Sequence, residues 1–233
     1  MERTTKQKYL SAAGLLLVAT AAVKVIGAVY KIPLTGLIGG TGRGYFSTAY
    51  TLFMPVHAIT LGAFPVALSG LVSKYHATGD SARVAALQRS ARGLFFWVGL
   101  AGTALMVLLA GPYTRLVAGA PKAVYTVLIL APTALFSAMA AAHRAFAEGH
   151  LNMVPTSVCQ VLEALFKMVF GLLFAKLSMG RLYQIYLDTG MVLGNRAESE
   201  TTALSMMYPV TAACAMLGVT LGALAAWVYA ALY

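Results

Sequence analysis

Residues 45–73 read YFSTAYTLFMPVHAITLGAFPVALSGLVS, twenty-nine positions without a single Asp, Glu, Lys or Arg. About 20 apolar residues suffice to cross the hydrocarbon of a bilayer as a helix, so this run is long enough to span and to tilt. Working outward, five more apolar stretches qualify, at about 9–30, 93–114, 123–142, 154–175 and 202–233. The whole chain agrees: of 233 residues 60% are hydrophobic and only 10% charged, against roughly 25% charged in a soluble domain. Too little polar surface remains to coat a water-soluble globule, which excludes an ordinary cytosolic enzyme. Disorder is excluded as well, because it needs low hydrophobicity. The expected fold class is all-α: a polytopic membrane protein, a bundle of six spans over residues 1–233.

The first stretch begins behind Arg3, Lys6 and Lys8, and Ala19-Thr20-Ala21 resembles a signal cleavage site. The apolar run continues to Tyr30, longer than a signal core, so it reads as a retained span. Gly39-Gly40-Thr41-Gly42-Arg43-Gly44 lacks the spacing of a dinucleotide loop and follows no strand; it reads as a flexible turn between spans one and two. Pro55 and Pro65 remove backbone donors inside span two, so kinks are expected there, beside a cavity or in a tilted structural helix. Gly218-x-x-x-Gly222, with Gly99 and Gly102, marks close helix contacts. Tyr9, Tyr30, Tyr45, Tyr113 and Tyr233 fall at span ends, as interfacial aromatics do.

Seventeen Lys+Arg against seven Asp+Glu give a net charge of +10. In a membrane chain the basic excess reads as loops held against anionic lipid rather than as a nucleic-acid surface. Arg3, Lys6, Lys8, Lys74, Arg83, Arg89, Arg92 and Arg144 fall on one side, and Lys31, Arg43, Arg115, Lys122, Lys176, Arg181 and Arg196 on the other. The count is nearly even; the first helix and the densest loop together set the N-terminus in the cytoplasm of a multi-pass plasma-membrane protein. Lys74 to Arg92 reads as a short surface helix capped by Asp80 or Ser81, with Val84, Leu87 and Ala91 on one face.

Three charges lie inside spans, where each costs about 2.5–3.5 kcal/mol on insertion scales. Lys167 follows Glu163 by four residues in span five, on the same helical face. The two form either a structural ion pair or a polar, cation-carrying coupling site. Lys24 either snorkels to the interface or points into the bundle, where its ammonium attracts phosphate. Lys31, seven residues on, projects from nearly the same face. Together with Arg43 these lysines would make a basic strip at a cavity mouth. Cys159 and Cys214 lie in apolar stretches and read as small hydrophobes. The four histidines form no metal-site spacing, and no nucleophile–base pairing or cofactor motif is present. The chemistry implied is the movement of something charged or amphipathic through a membrane.

Four blocks carry a family resemblance. They are residues 24–34 (KVIGAVYKIPL) with 39–45 (GGTGRGY), 63–74 (AFPVALSGLVSK), 144–155 (RAFAEGHLNMVP) running on to Gln160 and Glu163, and 217–224 (LGVTLGAL). In that order they resemble the stage V sporulation protein B family of polysaccharide-type transporters, within the multidrug/oligosaccharidyl-lipid/polysaccharide exporter superfamily. The resemblance implies one six-helix lobe of a MATE-like transporter, about half the usual length. It further implies flipping of a lipid-linked saccharide by alternating access, the chain being a fragment, a truncated gene product or half of a split pair whose second lobe comes in trans or from a homodimer. In the related lipid II flippases, basic residues of the first two helices engage the lipid pyrophosphate. Lys24 matches the first of these; the second falls on Tyr30, beside Lys31. The basic residues of span two have no counterpart among His57, Ile59 and Thr60. The implied cargo is therefore an envelope or spore-wall saccharide lipid rather than lipid II specifically. Two other readings stay open: a cation-coupled multidrug antiporter, and a non-transporting membrane assembly partner.

Overall fold

The computed structural model describes the backbone of residues 2–233 and side chains from residue 14 onward. The side chains of Arg3, Lys6, Lys8 and Tyr9 lie outside the described residues. Helix α1 runs Glu2–Leu61, α2 Phe64–Ala77 and α3 Ser81–Pro112, the last extended by a π turn, Tyr113–Val117. A 3-10 turn at Pro121–Ala123 leads into α4 Val124–Leu130 and α5 Pro132–Gly149. Helix α6 spans Val154–Thr189 and α7 Glu200–Leu232, joined through the short strands β1 Met191–Val192 and β2 Asn195–Arg196. Among the described residues five helical runs are long and apolar enough to cross a membrane, the first of them Gly14–Ala77.

Six spans were expected, and the first two share that 64-residue run. As a rod it would be roughly 96 Å long, about three times the hydrocarbon thickness. It is not a rod. Gly39 has φ 63° and ψ −179°, a conformation open essentially to glycine alone. Sixteen residues along a straight helix cover about 24 Å, yet the rings of Tyr30 and Phe46 lie 6.4 Å apart. The arms 2–38 and 40–61 therefore turn back on one another. The turn expected over Gly39–Gly44 is confined to Gly39, because residues 40–44 are already helical.

Pro55 sits in helical backbone, and the second span breaks instead at Gly62–Ala63. Pro65 then falls in the first turn of α2, where a missing N–H costs no helical bond. The separate surface helix expected between Lys74 and Arg92 is absent. Asp80 caps α3 by accepting from the N–H of Arg83 at 3.0 Å, and its carboxylate pairs with the same guanidinium at 3.0 Å. Arg83, Arg89 and Arg92 thus ride the opening turns of a helix that continues into the bilayer. Span four is longer than 123–142 and divides before Pro132. Carbonyls at that division accept hydroxyls from neighbouring helices: Ile129 from Thr220 at 2.7 Å and Ala131 from Thr103 at 3.2 Å. Side-chain hydroxyls of this kind hold helices together where lipid offers no alternative partner.

Helices α6 and α7 pack along the Gly218-x-x-x-Gly222 ridge. A Cβ on Gly222 would lie 2.7 Å from the carbonyl oxygen of Glu163, and one on Gly218 would collide with the backbone of Gly171. Gly99 meets Ala138 on α5 in the same manner, at 2.7 Å. Cys159 is buried and donates to the carbonyl of Ala226 at 3.3 Å, while Cys214 is half-buried. Helix α6 continues well past residue 175, to Thr189. The hairpin beyond it turns at Leu193-Gly194, both with positive φ, the pairing a two-residue primed turn requires.

Candidate functional site

The reversal at Gly39 brings one face of each arm of α1 against α6. Between them lies a cavity of about 670 Å³ whose lining includes Lys24, Lys31, Arg43, Tyr30, Tyr50 and Lys167. The three basic residues of the expected strip therefore share one hollow, and Lys167 joins them as a fourth cation. Among the described residues no carboxylate lines this cavity. Lys24, Lys31 and Arg43 are exposed to it, whereas Lys167 is half-buried.

Lys167 and Glu163 form no ion pair: no nitrogen–oxygen distance between them falls within 4 Å. The Lys167 ammonium instead donates to the Tyr50 hydroxyl at 2.9 Å. It lies 4.8 Å from the centroid of the Tyr50 ring, 5.6 Å from Tyr30 and 5.9 Å from Phe46. The spacing of four residues does put both charges on one face, as expected. The flexible lysine stem, however, reaches the aromatic cage made by the folded arms of α1, and ring faces attract a cation that has left water. Sequence reasoning missed this cage, because Tyr30 and Tyr50 read as a span-end aromatic and an ordinary span residue.

Glu163 faces a second hollow of about 260 Å³, bounded also by Val23, Gln160 and Lys167. A third, of about 320 Å³, is lined by His57, Arg144, Glu148, Thr156 and Gln160. Neighbouring hollows share walls: Gln160 borders the third and second, and Tyr30 and Lys167 border the second and first. Along α6 the connecting residues are Thr156, Gln160, Glu163 and Lys167, at helical intervals that draw a polar stripe down one face. That stripe was available in the sequence and shows why the charges stand where they do. On the facing arm of α1 a ladder of rings runs in parallel, Phe46–Tyr50 at 5.3 Å, Tyr50–Phe53 at 6.3 Å and Phe53–His57 at 5.1 Å. Arg144, expected in a loop after span four, is instead half-buried in α5. Among the described residues no group of three or more His, Cys, Asp or Glu is arranged to hold a metal.

The family model for polysaccharide biosynthesis proteins matches residues 10–188, covering both arms of α1 and most of α6, and with them the basic cavity. The chain belongs to the polysaccharide biosynthesis protein family. Two curated relatives of the family, both of Bacillus subtilis (strain 168), agree with this placement. The lipid II flippase MurJ is 28% identical over 174 residues, 70% of this chain and 31% of MurJ. Stage V sporulation protein B is 25% identical over 158 residues, 68% of this chain and 30% of that protein. Both relatives belong to the multidrug/oligosaccharidyl-lipid/polysaccharide superfamily. The matched part of the chain spans less than a third of the length of either. No solved structure matches significantly. Family membership and the long apolar helices together make this a multi-pass membrane protein.

Proposed function

We propose that this chain forms one lobe of a flippase for an anionic lipid-linked saccharide, and that the cavity between the arms of α1 and α6 receives the phosphate-bearing head. The observation that carries the reading is the convergence of Lys24, Lys31, Arg43 and Lys167 on one hollow, with no lining carboxylate among the described residues. Four like charges beside lipid repel one another, and among the described residues none of the hollow's own lining offers a counter-charge. A pyrophosphate-linked sugar supplies that charge, while its polyprenyl-type tail stays in the bilayer. Kinship with a lipid II flippase supports the class of cargo; the saccharide itself follows from the resemblance drawn above. The other wall of the hollow would come from a second lobe, in trans or as another copy, and alternating access would proceed between the two. Glu163 would bind the coupling cation, since Lys167 is committed to Tyr50 and leaves the carboxylate facing its own hollow. The N-terminus would be cytoplasmic.

The test is translocation of a fluorescent polyprenyl-pyrophosphate sugar in proteoliposomes, paired with complementation of a cell-wall or sporulation defect. Lys24→Gln together with Lys31→Gln should abolish both without loss of the folded protein. Full transport by that variant would overturn the reading. Drug efflux driven by a sodium or proton gradient and lost on Glu163→Gln would replace it with multidrug antiport.

A further inference from the structure

The hollow at the α5–α6 end is separate from the basic cavity and is not used by the function proposed above. Its composition is unusual for a membrane interior. Arg144, His57, Glu148, Thr156 and Gln160 come from three helices and face one volume of about 320 Å³, within the size range of small-molecule sites. Arg144 makes no ion pair within 4 Å among the described residues. Its natural partner, Glu148, lies one turn further along α5 and is engaged elsewhere. The Thr156 hydroxyl donates to Glu148 Oε1 at 2.6 Å, and arginine followed by glutamate is also the less favourable order for a helical pair. His57 Nδ1 is buried without a hydrogen-bond partner among the described residues, and its ring is held flat against Phe53. A guanidinium with no carboxylate in direct contact is free to take an anion, and the His57 ring, its Nδ1 closed off, presents only its other nitrogen to the hollow. Arginine's planar fork suits a phosphate oxygen pair. Glu148 Oε2 can accept from a hydroxyl, and the Gln160 amide can donate or accept.

We propose that this hollow is a second binding site, for a glycosyl phosphate: the phosphate on Arg144 and His57, a sugar hydroxyl on Glu148. The glycosyl part rests on the function proposed above; the phosphate part stands on the donors alone. Because Gln160 borders both this hollow and the next, the site is the first station of the polar stripe that leads to Lys167.

The test uses the whole chain in lipid nanodiscs, with Ala58→Cys as reporter in a Cys159→Ala, Cys214→Ala background. Ala58 is exposed and lines the hollow. Glucose 1-phosphate at about ten times its Kd should slow maleimide labelling of the reporter about tenfold in phosphatidylcholine discs. Arg144→Gln should remove the protection. The Lys24→Gln, Lys31→Gln, Arg43→Gln variant should retain it, so that failure of the basic-cavity reading leaves this result intact. Should Arg144→Gln not yield a monodisperse protein, His57→Phe and Glu148→Gln replace it, each weakening protection severalfold. Unchanged labelling at saturating glucose 1-phosphate overturns the site. Equal protection by inorganic phosphate overturns the sugar contact at Glu148. Protection by phosphatidylglycerol discs alone, with nothing added by glucose 1-phosphate, assigns the hollow to a bilayer headgroup and overturns the glycosyl reading.

Discussion

The ammonium of Lys167 and the hydroxyl of Tyr50 are hydrogen-bonded at 2.9 Å across the interface between α6 and the second arm of α1. The bond ties the helix carrying the polar stripe to the arm carrying the aromatic ladder. It also fixes a mobile side chain at the junction of two hollows.

Removing only the hydroxyl separates the bond from the ring. Tyr50→Phe keeps the aromatic face 4.8 Å from the ammonium and should lower stability by about 1.5–3 kcal/mol, the range for hydrogen bonds to charged groups. Thermal unfolding in detergent measures it. A Tyr50→Phe variant as stable as the parent would show that the bond contributes nothing.

The α6–α7 seam should reject any side chain. Gly222→Val places its Cβ 2.7 Å from the Glu163 carbonyl oxygen and is expected to cost at least about 1–3 kcal/mol, as overpacking does. Gly27→Ala is the control: nothing lies within 4 Å of its Cβ, so helix propensity should make it neutral or stabilising by up to about 1 kcal/mol. Equal melting temperatures for the two would contradict the seam.

Two separate penalties act at Gly39. An alanine there must hold φ 63°, ψ −179° and place its Cβ 2.7 Å from the Tyr208 ring; the backbone alone costs about 1–3 kcal/mol. Tyr208→Ala should relieve the contact and leave the backbone penalty, so the double variant recovers only part of the stability lost by Gly39→Ala. Full recovery would mean that the turn does not need this conformation.

The Thr133–Thr220 pair, 3.1 Å apart, should show coupling of about 0.6–1.7 kcal/mol in a double-mutant cycle with valine, the range found for hydroxyls between membrane helices. Zero coupling would leave the Thr220 bond to Ile129 as its whole contribution.

The spans were legible because burial in lipid demands uncharged runs, and residues 45–73 leave no other reading. The α6–α7 contact was equally legible, since close backbone approach requires small residues at fixed spacing. The vertex at Gly39 was not: six residues rich in glycine resemble a loop, and only packing against Tyr208 shows that one of them suffices. Arg144 was read as a loop charge because the hydropathy of span four falls before it, whereas α5 stays helical to Gly149. Lys24, Lys31 and Arg43 were grouped from helical periodicity and from nearness to the glycine turn. The addition of Lys167 depends on the fold-back, which no local pattern encodes. The Tyr50 partner of Lys167 was hidden for the same reason: spacing left an ion pair and a coupling site both open at Glu163 and Lys167, and the aromatic cage that holds the ammonium is built from distant residues.

Helix α6 runs on for fourteen residues after Ala175, about 21 Å at helical rise, before the Leu193-Gly194 turn. That turn is a projecting tip, exposed and joined by only two strand residues on each side. A short epitope inserted between Leu193 and Gly194 would therefore stand clear of the membrane surface. With six crossings it would face the compartment opposite the N-terminus, so antibody staining of intact against permeabilised cells would report the handedness of the whole lobe in one measurement.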